Sequence, residues 1–491
     1  MKRILDSVHG YITIPKEICS HIVDTVYFQR LRRIEQTSIR SVFPCARHDR
    51  FTHSLGVYHI GRKIISSIKD RYGIDAFEGS VRNEKVFESY ELACLLHDVC
   101  HSPFSHTFED KYSIETNLEE MLMRELSIDK FSDDLSNQFS KAASHEIMSA
   151  LMVIREYKTF ITTQTKADVE LIVRMIIGCK YTDPINSFEN AFIDLIHGEI
   201  IDADRIDYVC RDVWASGYAT SLMDVDRLID SIHIEKKQNK YVVCYSTKSF
   251  NEIESLFNVK AFQQNNIFTH HTIIYEQHLL VKAIESAAVF HVFGMTNCED
   301  QKQREVAIQK LCNINSFYST ITLENTKRNL IYPTDDDFIS LMKDIPSDKY
   351  VSAWFTRKYE HIPLWKSMVE FYHYFPILQG KKFSDKCWLF SECHAGEFIA
   401  KKLGVNRKDI WILLASPKYT SKYQYKENMH IYIKKDEIKL YYDLFDKKIE
   451  QIPYDVKENP FAYIYIPKAK ENQKLDIIKC LVEEVEKFIY N

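Results

Sequence analysis

The stretch from Glu84 to His106 constrains the fold more than any other. Apolar residues recur at helical spacing up to Leu92-Ala93-Cys94-Leu95-Leu96, and the pattern runs straight into His97-Asp98-Val99-Cys100-His101-Ser102-Pro103-Phe104-Ser105-His106. A helix with such an apolar end is buried, so the imidazole and carboxylate that follow are carried into the core on rigid scaffolding. Buried polar groups need partners or a metal, and other elements must therefore converge on this point. His101 stands four residues after His97 and shares its helical face. Ser102-Pro103 reads as an N-cap followed by proline at the first helical position, which predicts a new helix carrying His106 and Glu109 at i, i+3. A lone histidine here would read as a cap or a solvated side chain. Three histidines and two carboxylates between His97 and Glu109 outweigh that reading.

Two further clusters have the same character. In Arg47-His48-Asp49-Arg50-Phe51-Thr52-His53-Ser54-Leu55-Gly56, His53 precedes the periodic residues Leu55, Val57, Ile60, Ile64 and Ile65, so it sits where a helix enters the core. Taken alone it is a capping or satisfied histidine. In the segment from Ile201 to Asp212, Asp204, Tyr208 and Asp212 recur every four residues along one helical stripe. An aromatic in that stripe, with almost no Lys or Glu around it, argues against an ordinary solvated face. Together the clusters supply imidazoles and carboxylates, a mixed N/O set suited to Zn, Mn, Fe or Ni as well as Mg. A metal-bound water has its pKa lowered toward neutrality and becomes a usable nucleophile.

Composition sharpens this. Only 12 of 491 residues are Gly, and neither G-x-G-x-x-G nor G-x-x-x-x-G-K occurs, so phosphates must be held by side chains and a metal rather than by a glycine-rich loop. Lys and Arg number 64 against 69 Asp and Glu, which excludes a concentrated basic coat for nucleic acid. The 12 Cys form no C-x-x-C, and the chain starts Met-Lys-Arg-Ile-Leu-Asp with no secretory apolar segment; reduced thiols and a cytoplasmic location are the expectation. Cys387, Cys393 and His394 lack the second pair that a zinc finger needs. No apolar run is long enough for a membrane span.

Helical periodicity marks 18–36, 84–100, 144–158, 167–180, 187–200, 204–214 and 251–291, with a hairpin over 232–246. Beyond 295 short β-branched and aromatic runs appear at Trp411–Ala415, His430–Lys434, Ile438–Tyr442 and Ala462–Ile466, with Lys434 to Glu437 as a turn and a closing helix over 473–489. The expected fold is mainly α: a helical catalytic body over 1–295, then a smaller α+β region over 296–491.

In order along the chain, His53, His97-Asp98 and Asp204 match the H…HD…D pattern of the HD-domain metal-dependent phosphohydrolases. The words Phe28-Gln-Arg-Leu-Arg32, Arg50-Phe-Thr-His-Ser-Leu-Gly56, His97 to His106 and Asp202-Ala-Asp-Arg-Ile-Asp-Tyr208 resemble one branch, the dGTPase-like deoxynucleoside triphosphate triphosphohydrolases. The resemblance covers about 1–290. It implies a divalent metal (Mn, Mg, Fe, Zn or Ni) on His53, His97, Asp98 and Asp204. It also implies His101 at the α-phosphate, and an acid/base apparatus of His106, Glu109 and His145. The implied reaction is attack of water on the α-phosphorus, releasing a nucleoside and inorganic triphosphate. Arg50 and Arg205 match phosphate clamps, Tyr208 a phosphate hydrogen bond, and Gln36 and Asp212 the residues that hold the 3′-OH. Thr37 and Phe268 depart from the family, where an apolar residue and a tyrosine are usual, and the Thr37 hydroxyl leaves room for a ribose 2′-OH. Cys100 stands where glycine is common. Asp24, Gln29 and Arg32, beside the Asp6–Gly10 loop, match positions that read an activating guanine nucleotide between subunits; by themselves they also read as a salt bridge and a turn. A homo-oligomer, dimer or tetramer, follows from the same resemblance, with the 296–491 region supplying contacts or regulation. Two other readings stand beside this one: a phosphohydrolase of ribonucleotides or signalling nucleotides, and a nucleotide-sensing subunit that keeps the fold without catalysis.

Overall fold

The computed structural model describes residues 1–112, 117–138, 142–198, 200–218, 223–296, 298, 300–379, 381, 386–415, 429–434, 437–444 and 461–490. It is mainly α with small sheets. An antiparallel hairpin, β1 (Lys2–Asp6) and β2 (Gly10–Ile14), leads into the body. Helix α1 (Arg50–Tyr72) begins at Asp49, whose carboxylate accepts from Thr52 N at 2.8 Å. Such an N-cap satisfies one of the four unpaired N–H groups of the first turn. Helix α2 (Ser80–Leu96) ends at His97 and packs on α1. Then come α3 (Ser144–Met152), α4 (Val169–Ile177), α5 (Ser187–Asp194) and α6 (Ala203–Ser216), the last packed across α1 and capped by Asp202.

The hairpin expected over 232–246 is present as β3 (Ile232–Lys237) and β4 (Lys240–Ser246). Its two-residue turn, Gln238-Asn239, takes positive φ at both positions, as right-handed strand twist favours. The sheet is extended by β7 (His430–Lys434), parallel to β4, and β8 (Glu437–Leu440), giving the order β8-β7-β4-β3. A second sheet has the order β5-β9-β6, from β5 (His361–Pro363), β6 (Trp411–Ala415) and β9 (Phe461–Pro467). Residues 435–436 of the expected Lys434 to Glu437 turn lie outside the described residues. The closing helix is α11 (Lys474–Tyr490).

Helices α7 (Phe250–Gln263) and α8 (His271–Phe293) replace the single helix expected over 251–291. The chain turns at His270, whose ring nitrogen accepts from Thr272 N at 3.2 Å and caps α8. The helix expected over 18–36 is also broken, into short turns at Lys16–Ile18, Cys19–Val23, Val26–Gln29 and Arg30–Arg33. Thr25 is the cause: its hydroxyl donates to Ile22 O at 2.7 Å and caps the next turn. The periodic residues Ile22, Val23, Phe28, Leu31 and Ile34 are buried nonetheless.

The larger core runs from Ile12 to Tyr441. It takes in residues of α9 (Gln301–Leu311) and α10 (Asp335–Lys343), so the chain beyond Gly294 returns to the helical body before building a second core around the β5-β9-β6 sheet. Tyr275 and Leu279 of α8 belong to that second core, whereas Leu280 to Val292 belong to the first. No described helix is long and apolar enough to cross a membrane.

Candidate functional site

Three helix ends meet in the first core. The opening turn of α1 presents His53, the end of α2 presents His97 and Asp98, and the start of α6 presents Asp204. His53 Nε2 lies 2.9 Å from Asp204 Oδ1 and 3.6 Å from Asp98 Oδ2; His97 Nε2 lies 3.6 Å from Asp98 Oδ2 and 3.7 Å from Asp204 Oδ1. His97 Nε2 is buried without a hydrogen-bond partner, a costly arrangement unless something binds there. The opposite ring nitrogens are committed. His97 Nδ1 donates to Cys94 O at 3.0 Å, and His53 Nδ1 lies 2.7 Å from Asp207 Oδ2. Each ring is thereby fixed with its Nε2 lone pair facing the carboxylates, as metal-ligating histidines are. The His53–His97–Asp98 group can hold a metal ion, and Asp204, 37% exposed, closes its open side. Burial disfavours charge on His53, but Asp204 and Asp207 outweigh it and raise its pKa to about 10, the negative field that a cation would neutralise.

Asp98 links this group to a second one. Burial opposes its ionisation, but Arg50 Nη1, 2.7 Å away, and the imidazoles of His97, His101 and His145 hold it well below the usual carboxylate range. His145 Nε2, at the first turn of α3, lies 3.6 Å from Asp98 Oδ1. Glu109 Oε1 takes both His145 Nδ1 at 2.7 Å and the His145 N–H at 3.1 Å, while Oε2 faces His106 Nδ1 at 2.9 Å. One carboxylate therefore fixes the tautomer of two imidazoles and leaves both Nε2 atoms for chemistry. Burial acts against the charge of His145, but Glu109 raises its pKa overall. His101 stacks on His145 with centroids 4.2 Å apart; burial, Arg50 and His145 push its pKa well down, so it is neutral. His106 has 65% of its side chain exposed and stands at the mouth.

The expected helix through Ser102 to Glu109 is not formed. Phe104 and Ser105 take φ of +56° and +51°, so two 3-10 turns (Ser105–Thr107 and Glu109–Tyr112) replace it. Ser102 Oγ donates to Ser105 O at 3.2 Å instead of capping. Left-handed non-glycine residues cost about 1–3 kcal/mol each and cluster at functional sites. Cys100 is buried with ordinary negative φ, its N–H donating to Ser149 Oγ at 3.0 Å, so this position needs no glycine.

The remaining sequence candidates fall in four places. Arg50 is buried beneath the centre, bonded to Asp98, to Ser105 Oγ at 2.9 Å and to Gln36 O at 3.3 Å. Arg205 wraps its own helix start, 3.1 Å from Gly198 O and 3.3 Å from Asp202 Oδ2, beside half-buried Tyr208. Gln36 pairs its N–H with His48 O at 3.1 Å, and His48 Nε2 lies 2.8 Å from Asp212 Oδ1. Gln36 Oε1, Thr37 Oγ1 and His48 Nδ1 are buried without partners. Phe268 packs with Ile39, Ala46, Ile267 and Ile273. The last place is the surface near the β1–β2 hairpin. There Asp24 pairs with Lys2 at 3.0 Å, Gln29 Oε1 accepts from Arg32 Nε at 2.9 Å, and the Arg32 guanidinium lies 3.5 Å over Phe51.

Sequence reasoning missed the support of His53. Asp207 is fully buried and bonded by His53, by His9 Nε2 at 2.6 Å and by Arg211 at 2.8 and 2.9 Å; Arg211 in turn holds Asp6 at 2.8 Å. The available signal was Gly56. A Cβ there would lie 1.9 Å from Asp207 Oδ1, so the small residue one turn after His53 marks where α6 approaches.

Residues 50–174 match the HD domain family model. The deoxynucleoside triphosphate triphosphohydrolase SAMHD1 homolog of Dictyostelium discoideum is 31% identical over 276 residues, 55% of this chain and 46% of that protein. The deoxynucleoside triphosphate triphosphohydrolase SAMHD1 of Gallus gallus is 26% identical over 307 residues, 59% of this chain and 46% of its own. The chain spans about half the length of the curated relatives it matches. Among solved structures, a phosphohydrolase from Bacteroides thetaiotaomicron superposes with a TM-score of 0.62 at 19% identity over 95% of this chain and 100% of that one. A hypothetical protein from Aquifex aeolicus does so with 0.58 at 19% identity, over 97% and 99%. These two show that the fold is shared over nearly the whole chain.

Proposed function

We propose that this protein hydrolyses deoxynucleoside triphosphates to deoxynucleoside and inorganic triphosphate. The observation that carries the reading is the pair of imidazoles, His106 and His145, clamped on one carboxylate, with His145 Nε2 3.6 Å from Asp98. Similarity to the two deoxynucleoside triphosphate triphosphohydrolases supports the substrate class.

A divalent ion would be held by His53, His97, Asp98 and Asp204 and would supply Lewis acidity and a lowered pKa for the attacking water. Glu109 accepts the Nδ1 protons of His106 and His145 and so directs both Nε2 atoms toward proton transfer; burial lowers the pKa of His106 against the pull of Glu109, whereas at His145 burial is outweighed and Glu109 raises the pKa. His106, at the mouth, is the residue to protonate a leaving 5′ oxygen; His101 donates a ring N–H to an α-phosphate oxygen. Arg205 and Tyr208 border the path of the phosphates, whereas Arg50 acts from below by holding Asp98. The orphaned Gln36 Oε1 and the Asp212–His48 pair suit a sugar hydroxyl, with Phe268 in the neighbouring apolar cluster. Asp24, Gln29 and Arg32 form the proposed guanine-nucleotide activator site, between subunits of a homo-oligomer.

Thr37 favours a second reading. Its buried, unpartnered hydroxyl suits a ribose 2′-OH, which would make ribonucleotides or a signalling nucleotide the substrate. Purified protein incubated with each dNTP and NTP, with Mn²⁺ or Mg²⁺, and products separated by anion exchange, tests both. Triphosphate and deoxynucleoside are expected. Pyrophosphate with dNMP would sink the mechanism, and turnover of NTPs that Thr37→Leu removes would favour the second reading. Loss of turnover in the His97→Ala, Asp98→Ala double variant separates either from a purely sensing role.

A further inference from the structure

The turn between His101 and His106 is held from outside the matched domain. Phe104 and Ser105 are consecutive left-handed residues, a conformation that persists only where the surroundings enforce it. The enforcing groups come from 333–338. Asp335, the first residue of α10 and 4% exposed, accepts from Phe104 N through Oδ1 at 2.7 Å and from Glu35 N through Oδ2 at 2.9 Å. One turn later, Phe338 meets Phe104 and Phe108 edge-on, with centroids 6.2 and 5.7 Å apart. Beside them Pro333 O takes two N–H groups of Arg30, at 3.2 and 3.1 Å, and the same guanidinium reaches Val99 O at 3.2 Å and His101 O at 2.5 Å. A single carboxylate thus ties together the backbone that precedes Gln36 and the backbone that precedes His106.

We infer that Asp335 is a positioning residue for the acid–base group. By fixing the Phe104 N–H it holds the left-handed turn, and the turn sets where His106 and Glu109 stand against His101 and His145. This rests on the reading of those four residues as the proton-transfer apparatus. A buried carboxylate that accepts two N–H groups also suits a purely structural part. The two differ in consequence: a positioning residue moves the chemistry while the metal group, carried by α1, α2 and α6, keeps its ion.

Asp335→Asn keeps one acceptor oxygen and the shape of the side chain, and Asp335→Ala removes both acceptors. In the full-length protein with Mn²⁺ and the best nucleotide of the panel, kcat is expected to fall from wild type to Asn to Ala, the last by about 10- to 100-fold. KM should change by less than about 3-fold, the pattern of an interaction needed only in the transition state. Bound metal per chain, from elemental mass spectrometry, should stay at the wild-type value, and amide exchange should quicken in the peptide spanning 99–110. An unchanged kcat with quickened exchange overturns the inference, as does a lower kcat with unchanged exchange, or a loss of kcat matched by loss of bound metal. Where the Ala variant does not fold, the Asn variant decides by the same readouts. A wild-type protein that hydrolyses no nucleotide defeats the reading of the site and the catalytic role of Asp335 with it, while the exchange data still report whether the carboxylate holds the turn.

Discussion

At the scale of single residues, the metal group depends on a carboxylate that no sequence pattern singled out. Asp207 accepts from His53, His9 and Arg211 and is fully buried. Burial disfavours its charge, but Arg211 and the two imidazoles hold its pKa well below the ordinary carboxylate range. An amide in its place presents one acceptor where several donors converge. Asp207→Asn should weaken metal binding about 10- to 100-fold, the usual consequence of losing a partner behind a ligating histidine. It should also cost about 3 kcal/mol of stability, because Arg211 is left short of countercharge. Titration calorimetry with Mn²⁺ and urea unfolding measure the two effects; wild-type metal affinity would show that His53 needs no such support. His53, His97 and Asp98 were legible because each stands at the point where an apolar period begins or ends, Asp204 through its stripe with Tyr208 and Asp212, and Glu109 because it lies three residues after His106. Asp207 was hidden by its place one residue off the Asp204-Tyr208-Asp212 stripe. A helix carries such a residue to a different face, and which face meets α1 depends on packing that one sequence does not display.

At the scale of elements, the contact between α1 and α6 sets the distance across the metal group, and Gly56 sets that contact. A Cβ at this position would lie 1.9 Å from Asp207 Oδ1 and 2.5 Å from Arg211 Nη2. Neither group can retreat, since each is held by several partners. Gly56→Ala should cost about 2–3 kcal/mol as overpacking and should lower metal affinity as well, since α6 must shift. Gly61, five residues further along α1, is a built-in comparison: its added Cβ would meet Cys94 Sγ at 2.6 Å, on α2. Gly61→Ala should cost stability with little change in metal affinity. Equal metal affinities for the two variants would contradict the assignment of α6 as the movable wall. Periodic helices such as α2, α4 and α6 were legible within a few residues, and α1 only as the apolar period from Leu55 to Ile65. The failures were local. Thr25 and His270 divert hydrogen bonds from a continuing helix, and Phe104 and Ser105 are driven left-handed by contacts with residues more than 200 positions away, which local propensity does not encode.

At the scale of the whole molecule, the chain folds back on itself across its expected division. The β4–β7 pairing joins Cys244 to His430, and α9 and α10 enter the first core, so the composition change near 295 marks a change of element type rather than an end of packing. This arrangement buries histidines along α1, α8 and both sheets. Burial lowers the pKa of His59, His233, His271 and His361 to about 4 and that of His278 to about 3. A histidine with a depressed folded pKa binds its proton more weakly than in the unfolded chain, so stability is lost as pH falls below about 6.5 and the loss is complete only below the folded value. The carboxylates held low, Asp98, Asp207 and Glu109, add their loss only below the ordinary carboxylate range. His145 and His197, whose pKa values are raised, already contribute fully below 6.5. Between pH 6.5 and 4.5 the buried neutral histidines lose stability, while Asp335 and Glu276, whose pKa burial raises to about 7, take up protons first in the folded chain and offset part of that loss. With chelator present, the melting temperature should drop by on the order of 5 °C across this interval, a few tenths to about 1 kcal/mol per ring after allowing for solvent reaching some of them. His278→Gln and His361→Gln, which cannot take up a proton, should each flatten the drop while leaving the melting temperature at pH 7.5 nearly unchanged. A melting temperature level down to pH 4.5 would mean that these rings open to water before they charge, and that the α8–β6 seam, where His278 and His361 both lie against Trp411, is looser than its burial implies.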